Sequence, residues 1–216
     1  MNLLAIPKKS LISKNNSSGV ADKPQFINTG GKLIDLSIPK VMGIINITPD
    51  SFYKGSRVTE EKDIIAAAVK MVEEGADILD IGGYSSRPFA DDVSPGEEKR
   101  RVLNAIRLIR ERLPDAVLSV DTFRAEIAYE AIKNYGVQII NDISGGEADK
   151  DMPGVVGELN VPYVMMHMKG NPRTMQENPE YEDVVADILC WAGVRITELR
   201  KAGVKDIILD PGFCFG

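Results

Sequence analysis

Short apolar runs alternate with longer amphipathic stretches over most of this 216-residue chain. Each apolar run has the length of a β-strand, and each longer stretch repeats its apolar positions at helical spacing. This alternation is typical of βα units, in which helices cover a parallel sheet and its strands are almost continuously hydrophobic. The pattern predicts six strands, at residues 41–48, 77–83, 117–122, 138–143, 162–168 and 206–212.

The stretches between these runs predict five helices, at residues 60–74, 96–113, 125–135, 151–159 and 181–202. The first and the last of them are followed by a glycine, Gly75 or Gly203, just before the next strand. A glycine there closes a helix in the left-handed backbone conformation. The ends of these two helices are therefore marked in the sequence.

A short β-hairpin is predicted at residues 25–36, where two alternating stretches flank a Thr-Gly-Gly turn. The residues before it are rich in polar turn formers, so residues 1–24 are expected to form a flexible tail. The domain is therefore expected to occupy residues 25–216.

Polar side chains concentrate where each predicted strand gives way to its loop. They are Asn46, Asp80, Asp121, Asn141 with Asp142, His167 and Asp210. The carboxyl ends of the strands carry the chemistry in a (β/α)8 barrel, but a doubly wound sheet also binds ligands there. Because no glycine-rich dinucleotide fingerprint follows any strand, we predict an α/β fold of the (β/α)8 TIM-barrel type.

A complete barrel of this type has eight βα units, and this sequence predicts about six of them. A six-stranded sheet would leave two unpaired edges, which promote aggregation. We therefore expect the chain to be part of a longer protein.

Charge and cysteine content narrow the class of protein. The net charge of −6 and the pI near 5.0 argue against binding to nucleic acid or to an anionic membrane surface. No apolar run approaches the roughly 18 residues that a membrane span needs, and no signal peptide is evident. With only two cysteines, Cys190 and Cys214, the expected location is a reducing cytoplasm.

Two of the predicted loops carry candidate chemistry. The loop after the first strand consists of Thr48, Pro49, Asp50, Ser51 and Phe52, a combination that also forms ordinary turns. In the loop after the second strand, glycines allow a ligand to approach the backbone. Ser86 and Arg87 in the same loop offer donors suited to a phosphate, although a plain surface loop has the same composition.

The polar residues at the strand ends also have structural interpretations. Asp121 and Asn141 are suitable helix N-caps, and Asp210 begins an Asp-Pro-Gly turn. His167 is the only histidine, and a lone histidine at a strand end is more often a hydrogen-bonded structural residue than a ligand.

Together, however, Asp121, Asn141 and Asp210 would converge on one barrel mouth. Their oxygens could accept hydrogen bonds from a flat, guanidine-like edge, such as that of a 2-amino-4-oxopteridine ring. Asn46 and the Ser-Arg loop would then bind an anionic tail.

Residues 25–216 resemble the dihydropteroate synthase family, with the matching motifs in the same order. The motifs lie at residues 42–52, 85–88, 119–122, 140–146, 166–172 and 209–213. The resemblance implies a (β/α)8 barrel enzyme of folate biosynthesis. It would condense 6-hydroxymethyl-7,8-dihydropterin pyrophosphate with p-aminobenzoate, releasing pyrophosphate and 7,8-dihydropteroate, and it would be a target of sulfonamides.

The resemblance also implies a role for each matching residue. The pterin would be bound by Asp121, Asn141 and Asp210, with Met166 lining the pocket, and Asn46 would support Mg²⁺ near the pyrophosphate. The loop of Thr48, Pro49, Asp50, Ser51 and Phe52 would close over the site. Ser86 and Arg87 would contact p-aminobenzoate and the leaving pyrophosphate, and Phe213 and Phe215 would lie near the p-aminobenzoate pocket. Ser86, Arg87, Asp121 and Asp210 would be the catalytic residues.

The chain departs from the family in several places. Tyr84 replaces a frequent Glu or Gln, Phe89 a usual Gly, and Cys214 a frequent Gly, while Ser86 replaces the commoner Thr but keeps a hydroxyl. The family's Ser-Arg-Lys and Arg-x-His segments have no counterpart in these 216 residues. We therefore expect this polypeptide by itself to be inactive or nearly so, and its parent enzyme to be a homodimer.

Two other functions stay open. A methyltetrahydrofolate-binding domain of a corrinoid methyltransferase would share the pterin carboxylates but not residues 48–52 together with residues 85–88. A non-catalytic pterin-binding protein would require that the natural chain end at residue 216, so the intact mass of the natural protein would distinguish it from a synthase.

Cys214 and Phe89 are expected to narrow the p-aminobenzoate pocket and to change its affinity for sulfonamides. The variant Cys214→Gly should therefore have a different sulfonamide inhibition constant from the parent, measured in the full-length enzyme. Equal constants for the two proteins would contradict the role of Cys214.

Overall fold

The computed structural model describes residues 25–47, 61–84, 93–170, 174–175 and 179–213. Over these residues, strands and helices alternate as predicted. The strands are β1 (Phe26–Asn28), β2 (Leu33–Asp35), β3 (Met42–Asn46), β4 (Ile78–Gly82), β5 (Val117–Asp121), β6 (Ile139–Asp142), β7 (Tyr163–Met166) and β8 (Ile207–Asp210). The helices are α1 (Glu61–Glu73), α2 (Pro95–Arg112), α3 (Ala125–Tyr135), α4 (Met152–Leu159) and α5 (Val184–Lys201).

The main sheet contains six parallel strands in the order β3-β4-β5-β6-β7-β8, so each strand lies beside its neighbour in the sequence. This is the order that successive βα units produce in a barrel wall. Among the described residues, the first and last of these strands are each paired on one side only. Apolar side chains on both edge strands are accordingly exposed, including Ile44 on β3 and Leu209 on β8.

Local capping explains where the helices begin and end. The Ser94 side chain accepts a hydrogen bond from the Glu97 backbone N–H, and Pro95 occupies the first turn of α2, where its missing N–H costs nothing. Asp183 caps α5 by accepting from two backbone N–H groups, so this helix begins at residue 184 and not at the predicted residue 181. Gly75 has the left-handed backbone that the sequence predicted, with φ of 104°.

Two layers of apolar side chains hold the sheet. The larger lies between the strands and the helices and includes the fully buried Ile81, Ile106 and Leu118. The smaller lies at the amino-terminal end of the strands, where Ile78, Val117, Ile139 and Val164 pack against Ile27 of the hairpin.

The hairpin β1–β2, whose presence the sequence predicted, therefore covers the amino-terminal end of the sheet. The backbone N–H of Asn28 donates to Asp206 Oδ2 at 3.0 Å, which ties the hairpin to the segment before β8. The carboxyl-terminal end of the six strands, called the mouth below, lies opposite this apolar closure. Among the described residues, no helix has the length and apolar character needed to span a membrane.

Two glycines of α4 give a test of this packing. A methyl group on Gly157 would collide with the Ala202 carbonyl at the end of α5, whereas a methyl group on Gly154 would meet nothing within 4 Å. The variant Gly157→Ala should lower the free energy of unfolding by about 1–3 kcal/mol because backbone has to move. The matched control Gly154→Ala should raise it by about 0.5–1 kcal/mol because alanine is the better helix former.

Chemical denaturation of the two variants and the parent measures these differences. If Gly157→Ala is as stable as the parent or more stable, α4 and the end of α5 are not in the close contact described.

Candidate functional site

Strand register brings four of the mouth residues into one row. Asn46 on β3 pairs with Gly82 on β4, Gly82 pairs with Asp121 on β5, and Asp121 pairs with Asn141 on β6. Parallel strands in register point paired side chains to the same face, so this row lines the mouth. Three of its members were predicted as site residues from the sequence, and Gly82 was not assigned a role of its own.

Gly82 leaves space that its neighbours use. A methyl group at this position would lie 2.9 Å from Asp121 Oδ2 and 3.2 Å from Asn46 Oδ1. The side chains of Asn46 and Asp121 therefore approach each other over a residue that has no side chain. Oxygen atoms of β3 and β5, the two strands that flank β4, thus lie close to one point of the mouth.

Asn141, the fourth member of the row, is hydrogen-bonded to a residue one layer deeper in the barrel. Its Nδ2 donates to Asp80 Oδ2 at 2.9 Å, and Asp80 is only 3% exposed. The sequence placed Asp80 at a strand end but did not count it among the site residues. A signal was nevertheless present, since an acidic residue in an otherwise apolar strand is buried only when it has a function or a partner.

Met166 and Asp210 form the next row of the mouth, paired across β7 and β8. Met166 is 5% exposed. Asp210 Oδ1 accepts from the Gly212 backbone N–H at 2.8 Å, so the Asp-Pro-Gly turn predicted as the structural interpretation does form. A carboxylate has two oxygens and the turn uses one of them, so the turn and a ligand contact are compatible.

Electrostatics at the mouth disfavour negative charge on Asp121. Burial, followed by the neighbouring charges of Asp80, Glu98 and Asp142, raises the pKa of Asp121 well above its usual value. A carboxylate in this position is stabilised by any ligand that donates hydrogen bonds to it or brings positive charge. The mouth is therefore suited to a ligand rich in N–H groups.

A buried carboxylate clamps the end of β5 to the start of α2. Glu98 is fully buried and accepts from Thr122 Oγ1 at 2.6 Å and from Arg124 Nε at 2.7 Å. Arg124 also donates to the Val93 carbonyl at 3.2 Å, just before α2. These contacts hold the segment that directly follows Asp121 against the segment that leads into α2.

The alternative in which Asp121 caps α3 is wrong. The N-cap of α3 is Arg124, whose side chain makes no capping hydrogen bond. The first N–H of the helix, that of Ala125, is satisfied instead by Asp149 Oδ2 at 2.8 Å. The Asp121 carboxylate is therefore not used as a helix cap.

Asp142, beside Asn141, has a structural role in the loop after β6. It accepts hydrogen bonds from the backbone N–H and the hydroxyl of Ser144, both at 2.7 Å, from the Gly146 N–H at 3.0 Å and from the Tyr163 hydroxyl at 2.6 Å. These bonds order the loop after β6 and favour the ionised form, whereas burial, the larger effect, raises the pKa of Asp142.

The environment of His167 agrees with a structural role. The residue is 7% exposed, and its ring stands edge-on to Trp191 with 5.1 Å between the ring centres. Burial lowers the pKa of His167 below its ordinary value. The ring thus packs against helix α5.

An aromatic pair lies at the rim of the mouth. Tyr84 and Phe123 meet edge to face with 5.1 Å between ring centres. Together with Ile143 and Met168 they line a cavity of about 200 Å³. Phe213, predicted to lie near a substrate pocket, is 83% exposed.

Several predicted site residues lie outside the described residues. They are Thr48, Pro49, Asp50, Ser51, Phe52, Ser86, Arg87 and Phe215, and Phe89 and Cys214 lie outside as well. Within the part of the chain that the structure describes, no group of three His, Cys, Asp or Glu side chains could hold a metal ion.

Sequence comparisons relate the chain to known proteins. The family model described as pterin binding enzyme matches residues 42–216. The chain is similar to the dihydropteroate synthase of Haemophilus influenzae, with 44% identity over 187 residues that cover 86% of this chain and 67% of that protein.

Solved structures give the same relationship. The chain is similar to Yersinia pestis dihydropteroate synthase in complex with a sulfonamide drug, with 36% identity and a TM-score of 0.83, over 88% of this chain and 69% of that one. It is also similar to Xanthomonas albilineans dihydropteroate synthase with 4-aminobenzoic acid, with 38% identity and a TM-score of 0.76, over 90% of this chain and 68% of that one. The predicted α/β barrel fold is thereby confirmed, and this chain spans about two thirds of the length of these relatives.

The raised pKa of Asp121 predicts that ionisation of this carboxyl group lowers the free energy of unfolding. A carboxyl whose pKa is raised on folding stabilises the fold below its unfolded value of 3.8, and this stabilisation is lost as the pH rises through the folded value. The variant Asp121→Asn should therefore be more stable than the parent at neutral pH. The difference should shrink as the pH falls toward 4, by about 1.4 kcal/mol for each pH unit within the titration interval.

Denaturation curves at several pH values measure this difference, with the exposed Asp151→Asn as the control. A stability difference between parent and Asp121→Asn that does not change with pH would contradict the raised pKa.

Proposed function

The chain belongs to the pterin-binding enzyme family that includes the dihydropteroate synthases, and from this premise we propose that it performs the pterin-binding part of dihydropteroate synthesis. In that reaction 6-hydroxymethyl-7,8-dihydropterin pyrophosphate and p-aminobenzoate condense to 7,8-dihydropteroate, and pyrophosphate leaves. The observation that carries the proposal is the placement of Asp121 beside Asn141 in the mouth, with the Asp121 carboxylate desolvated.

Pterin recognition follows from the donors and acceptors of the two rows. A 2-amino-4-oxopteridine carries several N–H groups along one edge, and the carboxylates of Asp121 and Asp210 accept from such groups. Asn141 adds one carbonyl acceptor and one remaining N–H donor. Met166 supplies an apolar, polarisable surface against the flat ring.

The bond changes are those of a displacement at the exocyclic carbon of the pterin. The carbon–oxygen bond to pyrophosphate breaks while electrons from the ring nitrogens stabilise the cation that forms. The arylamine nitrogen then bonds to this carbon and loses a proton. The Asp121 carboxylate lies where it would stabilise positive charge on the pterin, which is where a desolvated anion contributes most.

Two oxygen atoms of the mouth support a proposal that Mg²⁺ binds there. Asn46 Oδ1 and Asp121 Oδ2 both lie close to the position that a methyl group on Gly82 would occupy. Mg²⁺ prefers oxygen ligands and is often held by one or two protein groups together with substrate phosphates and water. We propose that Asn46 supports the ion, which would neutralise charge on the departing pyrophosphate.

The remaining roles are proposed for residues that approach from the loops. Ser86 and Arg87 would bind p-aminobenzoate and the pyrophosphate, and the loop of Thr48, Pro49, Asp50, Ser51 and Phe52 would exclude water that could capture the cation. Phe213 and Phe215 would flank the arylamine. The relatives support these roles, since the structure from X. albilineans is described with 4-aminobenzoic acid.

We further propose that the protein acts in a reducing cytoplasm and that the parent enzyme is a homodimer. The free thiol of Cys190 and the low cysteine content support the location. The complex of the Y. pestis relative with a sulfonamide drug supports sulfonamide sensitivity.

The proposed function is tested first by binding. Calorimetry should detect 6-hydroxymethyl-7,8-dihydropterin pyrophosphate binding to the protein, with affinity increased by Mg²⁺. Labelled p-aminobenzoate should then be converted to 7,8-dihydropteroate by the full-length enzyme. Absence of both binding and product would contradict the proposal.

The variant Gly82→Ala should weaken pterin binding by about tenfold or more, since its methyl group would press on Asp121 Oδ2 and Asn46 Oδ1. Gly96→Ala is the matched control because its methyl group would meet nothing within 4 Å. Equal affinities for the parent and Gly82→Ala would mean that the ligand does not use this part of the mouth.

A further inference from the structure

Asp80 is a buried carboxylate that lies one layer below the row of mouth residues and contacts one of them, Asn141. It lies in the middle of β4, all of whose residues are buried, two positions before Gly82 of the mouth. One of its oxygens, Oδ2, accepts from Asn141 Nδ2 at 2.9 Å, and the other, Oδ1, has no hydrogen-bond partner among the described residues. A group that is this costly to bury calls for a function.

The electrostatics of Asp80 agree with a position just below the mouth. Burial raises its pKa, whereas the hydrogen bond from Asn141 and the nearby Ser119 hydroxyl act in the opposite direction. Ser119 faces Asp80 on β5, although the hydroxyl falls short of hydrogen-bond geometry. As long as the carboxyl group is ionised, both of its oxygens are acceptors only, so Oδ2 accepts the amide hydrogen of Asn141.

The consequence for Asn141 follows from the asymmetry of an amide. An acceptor oxygen of Asp80 attracts the amide nitrogen and repels the amide oxygen, so Nδ2 is held toward Asp80 and Oδ1 is turned away. A half-turn of the amide would bring two acceptor oxygens together in a buried site. The asparagine therefore offers its ligand one acceptor, Oδ1, and the single N–H that Asp80 does not use.

We propose that Asp80 is a positioning residue that fixes the amide orientation of Asn141 and thereby makes the mouth select a 2-amino pteridine over its 2-oxo counterpart. The proposal rests on the proposed pterin-binding function. An amino group can donate to the fixed Asn141 oxygen, whereas a carbonyl in its place would meet acceptor against acceptor. The carboxylates of Asp121 and Asp210 also favour the 2-amino pteridine. Asp80 contributes only the part of the preference that depends on the orientation of Asn141.

The variant Asp80→Asn tests the proposal with almost no change of volume. A second amide can accept from Asn141 or donate to it, so both orientations of Asn141 become possible. The ratio of affinities for 6-hydroxymethylpterin and 6-hydroxymethyllumazine should fall by about tenfold, the factor that one hydrogen bond contributes. Ser119→Ala, in the same layer, is the matched control and should keep the ratio of the parent.

A measurement without ligand separates this proposal from the proposed function. In protein labelled with ¹⁵N-asparagine, the Asn141 side-chain amide should exchange slowly with solvent in the parent and quickly in Asp80→Leu, with circular dichroism confirming that the variant is folded. If the parent binds neither pteridine, the proposed function fails, and the exchange rates still decide whether Asp80 holds Asn141.

Two results would overturn the positioning role. The first is an equal loss of affinity for both pteridines in Asp80→Asn, with an unchanged ratio, because Asp80 would then only support the packing of the sheet. The second is an Asn141 amide that exchanges equally fast in the parent and in Asp80→Leu.

Discussion

The parallel hydrogen-bond register of the six-stranded sheet is the constraint on which the site depends. It places Asn46, Gly82, Asp121 and Asn141 side by side on four consecutive strands. A slip of one residue in any strand would turn its mouth residue toward the helices and its core residue into the mouth. Because both faces of these strands are packed, such a slip would bury charge in the helix-facing core, so the apolar core and the polar site enforce the same register.

The two ends of the sheet have opposite character for the same reason. At the amino-terminal end the hairpin adds Ile27 to a small apolar layer. At the mouth, carboxylates gather where water is partly excluded, and the pKa of Asp121 is raised as a result. The fold is thus stabilised mainly by the apolar layers below the mouth, while the binding site itself costs stability.

Buried polar contacts hold the backbone around the mouth in place. Glu98 binds Thr122 and Arg124, and Asp142 orders the loop after β6 through Tyr163 and neighbouring backbone groups. Ligand contacts are then presented by strand ends whose loops are held from outside the barrel. This arrangement suits a reaction in which a flat heterocycle is held still while its leaving group departs, since positioning lowers the barrier without further chemistry.

The sequence by itself predicted the order of the elements, the hairpin, the barrel class and three of the four residues of the mouth row, Asn46, Asp121 and Asn141. These follow from local periodicity, from glycine and capping signals and from the position of polar residues at strand ends, all of which are read within a few residues. Only the tertiary structure decided that Asp80 holds Asn141 and that Glu98 clamps Thr122, because these partners are 61 and 24 residues apart in the chain. It also decided that Asp210 uses one oxygen in its turn and that Asp149, not Asp121, accepts from the first N–H of α3. No local pattern encodes such contacts, since each depends on which strands and loops the fold brings together.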